Sequence, residues 1–299
     1  MCSQLTSFTK EEVYNHRYEI MHLISQAIPL GKNHHKKSQN WKNYANYPKT
    51  DWFDKMFWEK GGLDQVGTLG GGNHFIEIGY DEENRVWITI HSGSRNVGHT
   101  TAQHYIAMAH PEGKVKDGAY GFNVNSPEGK DYIQDMQVCL GFALHSRESM
   151  IMAVLASMKM FAKGGAVDFF INRTHNHAES NDGIHWIHRK GATHAEEGML
   201  GVIPGNMKDG SFIVRGKGNS ESLYSSSHGA GRVFSRKKAK TMFDVEEVKK
   251  DMGDIAANIT QATMEESKGA YKNIFEVMAL QKDLVEVIHH IKPIICVKG

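Results

Sequence analysis

Four histidines stand in segments rich in glycine and small polar residues, where the backbone can approach a ligand closely. They are His74 after a triple glycine, His91 in HSGSR, His175 in THNH and His228 in SSSHGAGR. Imidazole is the commonest protein ligand of transition metals, and it carries protons near neutral pH. Imidazoles held at strand ends by short turns can converge on one ion at about 2.0–2.2 Å. The pattern therefore predicts a histidine-rich metal site. The other histidines, His194 among them, are interpreted as ordinary polar residues.

The segment around His228 has features of its own. The imidazole follows three serines and precedes Gly229, and two arginines, Arg232 and Arg236, stand four and eight positions further on. If this segment is helical, both arginines lie on the same face as His228. Histidine can act as a covalent nucleophile towards phosphorus, with arginines and metal ions neutralising the transferred group. The alternative interpretation is a basic helix start without a catalytic role.

Short apolar runs and amphipathic stretches indicate the elements that position these residues. Residues 74–80 and 85–92 read as two adjacent strands joined by a DEEN turn, and a long helix is predicted over 131–161. A capping box formed by Thr9 and Glu12 begins an earlier helix that ends at Pro29, and the polar stretch 31–50 is expected to be a solvated basic loop. Strands and helices do not alternate as regular βαβ units, so the predicted fold class is α+β.

Composition limits the classes of protein that this chain can be. Its 299 residues are enough for a large core without stabilising disulfides or metals. A formal net charge of +1 provides no global positive field that would attract nucleic acid. No run approaches the ~18 apolar residues of a membrane span, and the N-terminus lacks the layout of a signal peptide. We therefore expect no membrane partner and a cytoplasmic location. Three distant cysteines, Cys2, Cys139 and Cys296, argue against a disulfide framework.

Familiar nucleotide-binding motifs are absent from the sequence. It contains neither a GxxxxGK[ST] phosphate loop nor a GxGxxG that follows a strand. If a nucleotide binds, another arrangement must hold it.

Seven sequence blocks together resemble one family. They are GTLGGGNHFIEI (67–78), HSGSR (91–95), RKGA (189–192), IPGNM (203–207), SFIVRGKGN (211–219), SSSHGAGR (225–232) and CVKG (296–299). In this order and over nearly the whole chain, the blocks resemble the RtcB family of RNA-splicing ligases. The resemblance implies a single large mixed α/β domain of RtcB type over residues 1–299.

The resemblance also implies an activity and a set of site residues. Proteins of this family join RNA ends bearing a 2′,3′-cyclic phosphate or 3′-phosphate to 5′-hydroxyl ends, in tRNA splicing or RNA repair. They use GTP and manganese through a guanylylated histidine, which corresponds to His228 here. His74, His91 and His175 are the implied ligands of a two-manganese site. Residues expected around the nucleotide are Asn73, His74, Phe75, Ile76, Glu77, His175, Asn176, Pro204, Gly205, Asn206, Met207, Ser211, His228, Gly229, Ala230, Gly231, Tyr271 and Lys298. Arg95, Arg232 and Arg236 are the candidates for contacts with RNA phosphates.

The sequence departs from the family pattern in two places. The family carries a D-x-x-C-G-M motif whose Asp and Cys are metal ligands, and Met1 corresponds to the methionine of that motif. The part of the family domain that precedes this methionine is then missing, so both ions would lack ligands and metal affinity should fall steeply. Cys2 lies on the wrong side of Met1 to replace the missing thiolate. Asn206 stands where the family commonly has serine.

Three interpretations follow from these matches and departures. The first is most of an RtcB-type ligase, either a truncated gene product or one half of a split enzyme that a separate N-terminal fragment completes. The second is a non-catalytic module that binds RNA ends or GTP, which would have no need of a nucleophile such as His228. The third is a dinuclear metallohydrolase, which fits the histidines but leaves SSSHGAGR unexplained.

Overall fold

The computed structural model describes residues 1–113 and 120–299. Helices and strands are mixed along the chain without regular alternation, as the sequence predicts. The strands are β1 (Cys2–Thr9), β2 (Phe75–Tyr80), β3 (Arg85–His91), β4 (Ala166–Asn172), β5 (Asn176–Glu179), β6 (Ile187–Lys190), β7 (Ala192–His194), β8 (Leu200–Pro204), β9 (Ser211–Gly216), β10 (Ser225–Ser227), β11 (Ala256–Ala257) and β12 (Val285–Lys298). The helices are α1 (Lys10–Asn15), α2 (Arg17–Ala27), α3 (Asp51–Glu59), α4 (Gly62–Gln65), α5 (Arg95–Ala109), α6 (Pro127–Lys159), α7 (Arg236–Met242), α8 (Val245–Met252) and α9 (Ile274–Leu280).

The central sheet has the strand order β4-β1-β3-β2-β12-β9-β8, and β11 adds to β12. All neighbours along this order are antiparallel, whereas β11 and β12 are parallel. Two small sheets, β5–β6 and β7–β10, have two strands each. The mixed architecture confirms the predicted α+β class.

The two faces of the central sheet have different coverings, and side chains alternate between them. On one face, Ile76 and Ile88 pack with Met150 and Val154 of α6 in the largest apolar cluster. On the other face, Phe75 and Trp87 belong to a smaller cluster that leaves room for a site. Each residue's place in its strand therefore decides whether it enters the core or the site.

The N-terminal region confirms one expectation and corrects three. The Thr9 hydroxyl accepts a hydrogen bond from the Glu12 amide at 3.3 Å, as the capping box predicts. The predicted helix is divided at His16 into α1 and α2. β1 was not anticipated from the sequence. The stretch 31–50 is not simply a solvated loop, because Trp41 and Tyr44 are buried in an aromatic cluster.

The long helix predicted over 131–161 is α6, which begins earlier, at Pro127. By length and composition α6 could cross a membrane, which the search for uninterrupted apolar runs did not anticipate. However, 61% of its most apolar segment is buried inside the fold, as in the core helix of a globular domain.

Candidate functional site

Strand register brings the first two candidate histidines to one end of the central sheet. Phe75, the first residue of β2, pairs with His91 at the end of β3 and with Lys298 at the end of β12. His74 immediately precedes Phe75. The hairpin predicted from the sequence therefore places His74 next to His91, and β12 adds Lys298 to the same end.

β1 and β4 bring the third histidine to the same end. Cys2 pairs with Ile90 on one side and with Asn172 on the other. The residues that follow Asn172 therefore approach His91, and the Nε2 atoms of His91 and His175 are 3.1 Å apart. We call His74, His91 and His175 the histidine trio.

The trio and His228 form a continuous row of imidazoles. Ring centroids are 5.4 Å apart between His74 and His91, 5.1 Å between His91 and His175, and 4.8 Å between His175 and His228. The Leu69 carbonyl lies 2.9 Å from His74 Nδ1, so that nitrogen donates to it and leaves Nε2 as the free ligand atom. All four histidines singled out in the sequence therefore meet.

Burial keeps these imidazoles neutral. It lowers the pKa of His74 to about 4 and the pKa of His175 to about 3, and neighbouring positive charge, such as that of Arg95 beside His74, adds to the effect. The pKa of His91 is held well below its ordinary value, and the pKa of His228 is also lowered, in both cases chiefly by burial. A neutral ring offers a nitrogen lone pair to a metal ion or to phosphorus.

Two small strands position His228. β10 ends at Ser227 and pairs with β7, and the His228 amide donates to the Gly191 carbonyl at 3.4 Å. Nδ1 of His228 and Nδ1 of His175 are both buried and have no hydrogen-bond partner among the described residues. Buried polar atoms normally have partners. These two nitrogens therefore fit a role towards a group that binds.

A cavity of about 270 Å³ opens beside His228. Most of the residues predicted to contact the nucleotide line it. The predicted residues in its wall are Asn73, Phe75, Glu77, Pro204, Gly205, Asn206, Met207, Ser211, His228, Gly229, Ala230, Gly231, Tyr271 and Lys298.

Four of the residues predicted at the nucleotide are not in the cavity wall. His74 and His175 are in the imidazole row instead. Ile76 is fully buried in the core on the helix-covered face, because β2 alternates its side chains between the two faces. Asn176 is exposed at the start of β5. Ile76 and Asn176 are therefore outside the cavity wall, and their contacts with a nucleotide stay a prediction.

The floor of the cavity contains a buried carboxyl group and a buried hydroxyl group. Glu77 Oε1 and Ser211 Oγ have no hydrogen-bond partner in the described part of the chain. Burial raises the pKa of Glu77 to about 8. Glu77 is therefore largely protonated at neutral pH and can donate a hydrogen bond to a bound molecule.

Sequence reasoning missed Glu266, a buried carboxylate in the wall behind the cavity. Its oxygens lie 3.0 Å from Lys298 Nζ, 3.0 Å from an Arg232 nitrogen and 2.5 Å from the Tyr271 hydroxyl. Lys298, with its positive charge, keeps the pKa of Glu266 low despite burial. Glu266 thus connects Lys298 of the central sheet to the loop that follows His228. The sequence signal was weak, since an acidic pair in MEESKGAY resembles a solvated turn.

A model of the family described as tRNA-splicing ligase RtcB matches residues 49–299. The chain belongs to the RtcB family.

Curated members of the RtcB family are similar over most of this chain. The RNA-splicing ligase RtcB of Escherichia coli (strain K12) is 33% identical, and the match covers 98% of this chain and 79% of the relative. The tRNA-splicing ligase RtcB of Nanoarchaeum equitans is 31% identical over 80% of this chain and 60% of the relative. The RNA-splicing ligase RtcB of Mycobacterium tuberculosis is 28% identical over 80% of this chain and 66% of the relative. The resemblance read from the sequence blocks is thereby confirmed.

The arginines predicted to contact RNA lie in different surroundings in this RtcB-family chain. Arg95 is partly buried, donating to Thr68 at 2.9 Å and to the Gly31 carbonyl at 2.6 Å. Arg236 is exposed at the cavity rim, at the start of α7.

Arg232 does not share a helix with Arg236, because α7 begins only at residue 236. Instead, Arg232 pairs with Tyr271 across an isolated bridge, and its guanidinium donates to the Glu265 carbonyl at 2.6 Å. The condition for a common helical face, a helix that runs from His228 to Arg236, is therefore not met.

Residues 1 and 2 lie on opposite faces of the central sheet. Met1 lines a small cavity with His175 and His228. Cys2 is fully buried in the cluster on the helix-covered face, and burial raises the pKa of its thiol to about 11. The Cys2 thiol therefore faces away from the imidazole row.

Among residues 1–113 and 120–299, a second set of side chains, apart from the trio, offers three possible metal-ligand atoms within 4.8 Å of one another. It consists of His177, Glu179 and His194, and it uses no residue of the trio.

Proposed function

We propose that this chain is a GTP- and manganese-dependent RNA ligase that works through a guanylylated His228. It joins RNA ends with a 2′,3′-cyclic phosphate or 3′-phosphate to 5′-hydroxyl ends. One observation carries the proposal: His228 stacks on His175 of the trio at 4.8 Å and also lines the cavity. The names of the relatives, RNA-splicing or tRNA-splicing ligase, support the same class of reaction.

In this proposal, the neutral His228 ring attacks the α-phosphorus of GTP, a phosphorus–nitrogen bond forms, and pyrophosphate leaves. The cavity holds the guanylate. Protonated Glu77 and the free Ser211 hydroxyl provide hydrogen bonds, and the Lys298 ammonium neutralises charge. Gly229–Gly231 let the backbone approach a phosphate without steric conflict.

The donor chemistry of the trio fits divalent transition ions, because its three imidazoles are neutral and two of the ring nitrogens face each other. His74, His91 and His175 would hold the manganese. The bound ions would neutralise phosphate charge during transfer. Three imidazoles leave a two-ion site short of ligands. We therefore propose that a segment with a D-x-x-C-G-M motif, in cis or as a separate fragment, supplies an Asp and a Cys.

RNA ends would reach His228 past the exposed Arg236 at the rim. Contacts of this kind bind phosphates and read little sequence. tRNA splicing or RNA repair is the proposed role, and the cytoplasm is the proposed location.

The decisive experiment measures guanylylation directly. The purified chain is incubated with α-labelled GTP and manganese, and acid-labile, alkali-stable label is sought on the protein. We expect label with the wild type, at least when a D-x-x-C-G-M fragment is added, and none with His228→Ala. His22→Ala, which removes an exposed imidazole from α2, is the matched control and should label normally.

Each result has a defined meaning. Label without the fragment means that the trio binds manganese unaided. Label only with the fragment supports a ligase completed by that segment. Absence of label under both conditions contradicts the proposal and favours a module that binds RNA ends or GTP without chemistry.

A further inference from the structure

His177, Glu179 and His194 form a polar cluster outside the imidazole row. Nε2 of His177 is 3.1 Å from Nε2 of His194, and Glu179 Oε2 lies 3.4 Å from the first nitrogen and 3.6 Å from the second. The carboxylate distances are long for charge-assisted hydrogen bonds, which are about 2.7–2.9 Å. The oxygen therefore faces both rings without bonding closely to either.

The same triangle fits a shared metal ion. Zinc binds imidazole nitrogen and carboxylate oxygen at about 2.0–2.2 Å in tetrahedral geometry, which separates the ligand atoms by about 3.3–3.5 Å. The three measured separations bracket this range. Two histidines and one carboxylate are also a ligand set that zinc uses in proteins.

Strand geometry explains why the ligands converge. His177 and Glu179 are two residues apart on β5, so they project from the same face. Arg189 on β6 pairs directly with His177 and therefore shares that face. His194 ends β7, which belongs to the other small sheet.

A second layer of contacts orients the ligands. Nδ1 of His194 lies 2.9 Å from Glu196 Oε1, which leaves Nε2 facing the cluster. Arg189 binds the other oxygen of Glu179. Such carboxylate–histidine pairs are typical of metal sites, where they fix the ring and its tautomer.

The charges around the cluster also favour a cation. Glu179 and Glu196 carry two negative charges, and the buried Arg189 balances one of them. Glu196 Oε2 is buried without a hydrogen-bond partner among the described residues. Counted without the two imidazoles, these charged groups sum to about −1, which a divalent ion would offset.

We propose that His177, Glu179 and His194 bind a divalent ion of the zinc type. The ion is separate from any held by the trio, and water completes its tetrahedron. It ties β5, which begins directly after His175, to β7, which pairs with the strand that leads to His228. The site therefore positions the last two imidazoles of the row without touching substrate.

The first test counts ions in the full chain with the trio disabled. After chelation and reloading with zinc, His91→Ala should retain one zinc per chain by elemental analysis. Adding His194→Ala should remove that zinc. Adding His188→Ala instead, which removes an exposed imidazole from β6, should leave it bound. A His91→Ala protein without zinc, or unchanged zinc in the His194 double variant, overturns the proposal.

The second test uses cobalt as a spectroscopic probe in the same His91→Ala background. A visible spectrum typical of tetrahedral Co²⁺ is expected, together with a rise in Tm on adding zinc. Glu196→Gln should weaken cobalt affinity about 10–100-fold, because it disturbs the orientation of His194. An octahedral spectrum, or an unchanged affinity in Glu196→Gln, contradicts the proposed ligand arrangement.

Misfolding of the variants is controlled separately. If circular dichroism shows that His194→Ala is unfolded, Glu179→Gln, which keeps the side-chain shape, replaces it in the ion count. This variant should also lose zinc, and full zinc retention by a folded Glu179→Gln chain overturns the proposal. None of these readouts depends on ligase activity.

Discussion

The site is built from two regions that differ in how firmly they are held. His74, His91 and Lys298 stand at the ends of β2, β3 and β12, which are neighbours inside the central sheet. His175 and His228 are attached instead to β5 and β10, in sheets of only two strands. We call these the sheet half and the outer half of the site.

This difference separates stability from chemistry. The sheet half stands on strands whose opposite face packs in the main core, so its geometry follows from the folding of the whole domain. An isolated two-stranded pair is marginal in water and needs additional contacts. The outer half contains the proposed nucleophile, and it depends on Glu266 and on the His177–Glu179–His194 cluster for such contacts. Changes to the small strands β5, β7 and β10 should therefore affect activity more than folding.

The largest expected effect on the free energy of unfolding comes from replacing Glu266, which links the two halves of the site. Glu266→Gln leaves the buried Lys298 and the partly buried Arg232 without their counter-charge. Breaking a buried ion pair costs about 3–5 kcal/mol. Denaturant unfolding should show this loss. Glu265→Gln is the control, because its cationic partners are half exposed and such pairs contribute about 1 kcal/mol or less. Equal losses would mean that Glu266 is not such a link.

A pair of alanine substitutions compares the halves directly. Ile88→Ala empties a fully buried position on β3 and should lower the free energy of unfolding by about 2–5 kcal/mol. Thr193→Ala, on β7, removes less buried volume and should cost less. Because Thr193 lines the small cavity with His175 and His228, it should instead reduce guanylylation per folded molecule. The reverse ranking of the two variants in either assay would break the comparison.

A pH dependence tests the sheet half. The pKa of Glu77 is about 8 in the folded chain and about 4.5 when the carboxyl group is free, so the folded state binds the extra proton between these values. This contribution to stability is full below pH 4.5 and is lost as pH rises towards 8. The free energy of unfolding of the wild type minus that of Glu77→Gln should therefore fall as pH rises from 5 to 8, because the buried histidines contribute equally to both proteins. A difference that does not change with pH would mean that Glu77 ionises normally.

The smallest effect is expected at the rim of the outer half. Arg236→Ala should weaken RNA binding a few-fold and reduce the slope of log affinity against log salt by about 1. Stability should not change, because the side chain is exposed. Lys55→Ala on α3 also removes an exposed cation and should leave the slope unchanged. Equal effects of both substitutions would point to non-specific attraction.

Sequence patterns predicted the sheet half better than the outer half. The alternating strands around the DEEN turn fix the register that joins His74 to His91, so the local pattern was sufficient. β1 was missed because it carries polar residues that are buried with hydrogen-bond partners. The Thr6 hydroxyl, for example, donates to the Val86 carbonyl at 2.9 Å. His194 was interpreted as an ordinary polar residue because His177 and Glu179, which lie close to it in the fold, come from another strand. The H-x-E spacing of His177 and Glu179 on a strand was the one local signal available there.

Gly70, the first residue of the triple glycine before His74, has no room for a side chain. Gly70 has a φ of +98°, and a Cβ there would lie 2.0 Å from an Arg95 nitrogen and 2.3 Å from His74 Nδ1. A Cβ added to Gly93, in the loop after His91, would have no neighbouring atom within 4 Å. Across a population of genes, packing should therefore fix codon 70 by purifying selection, a constraint that packing does not place on codon 93.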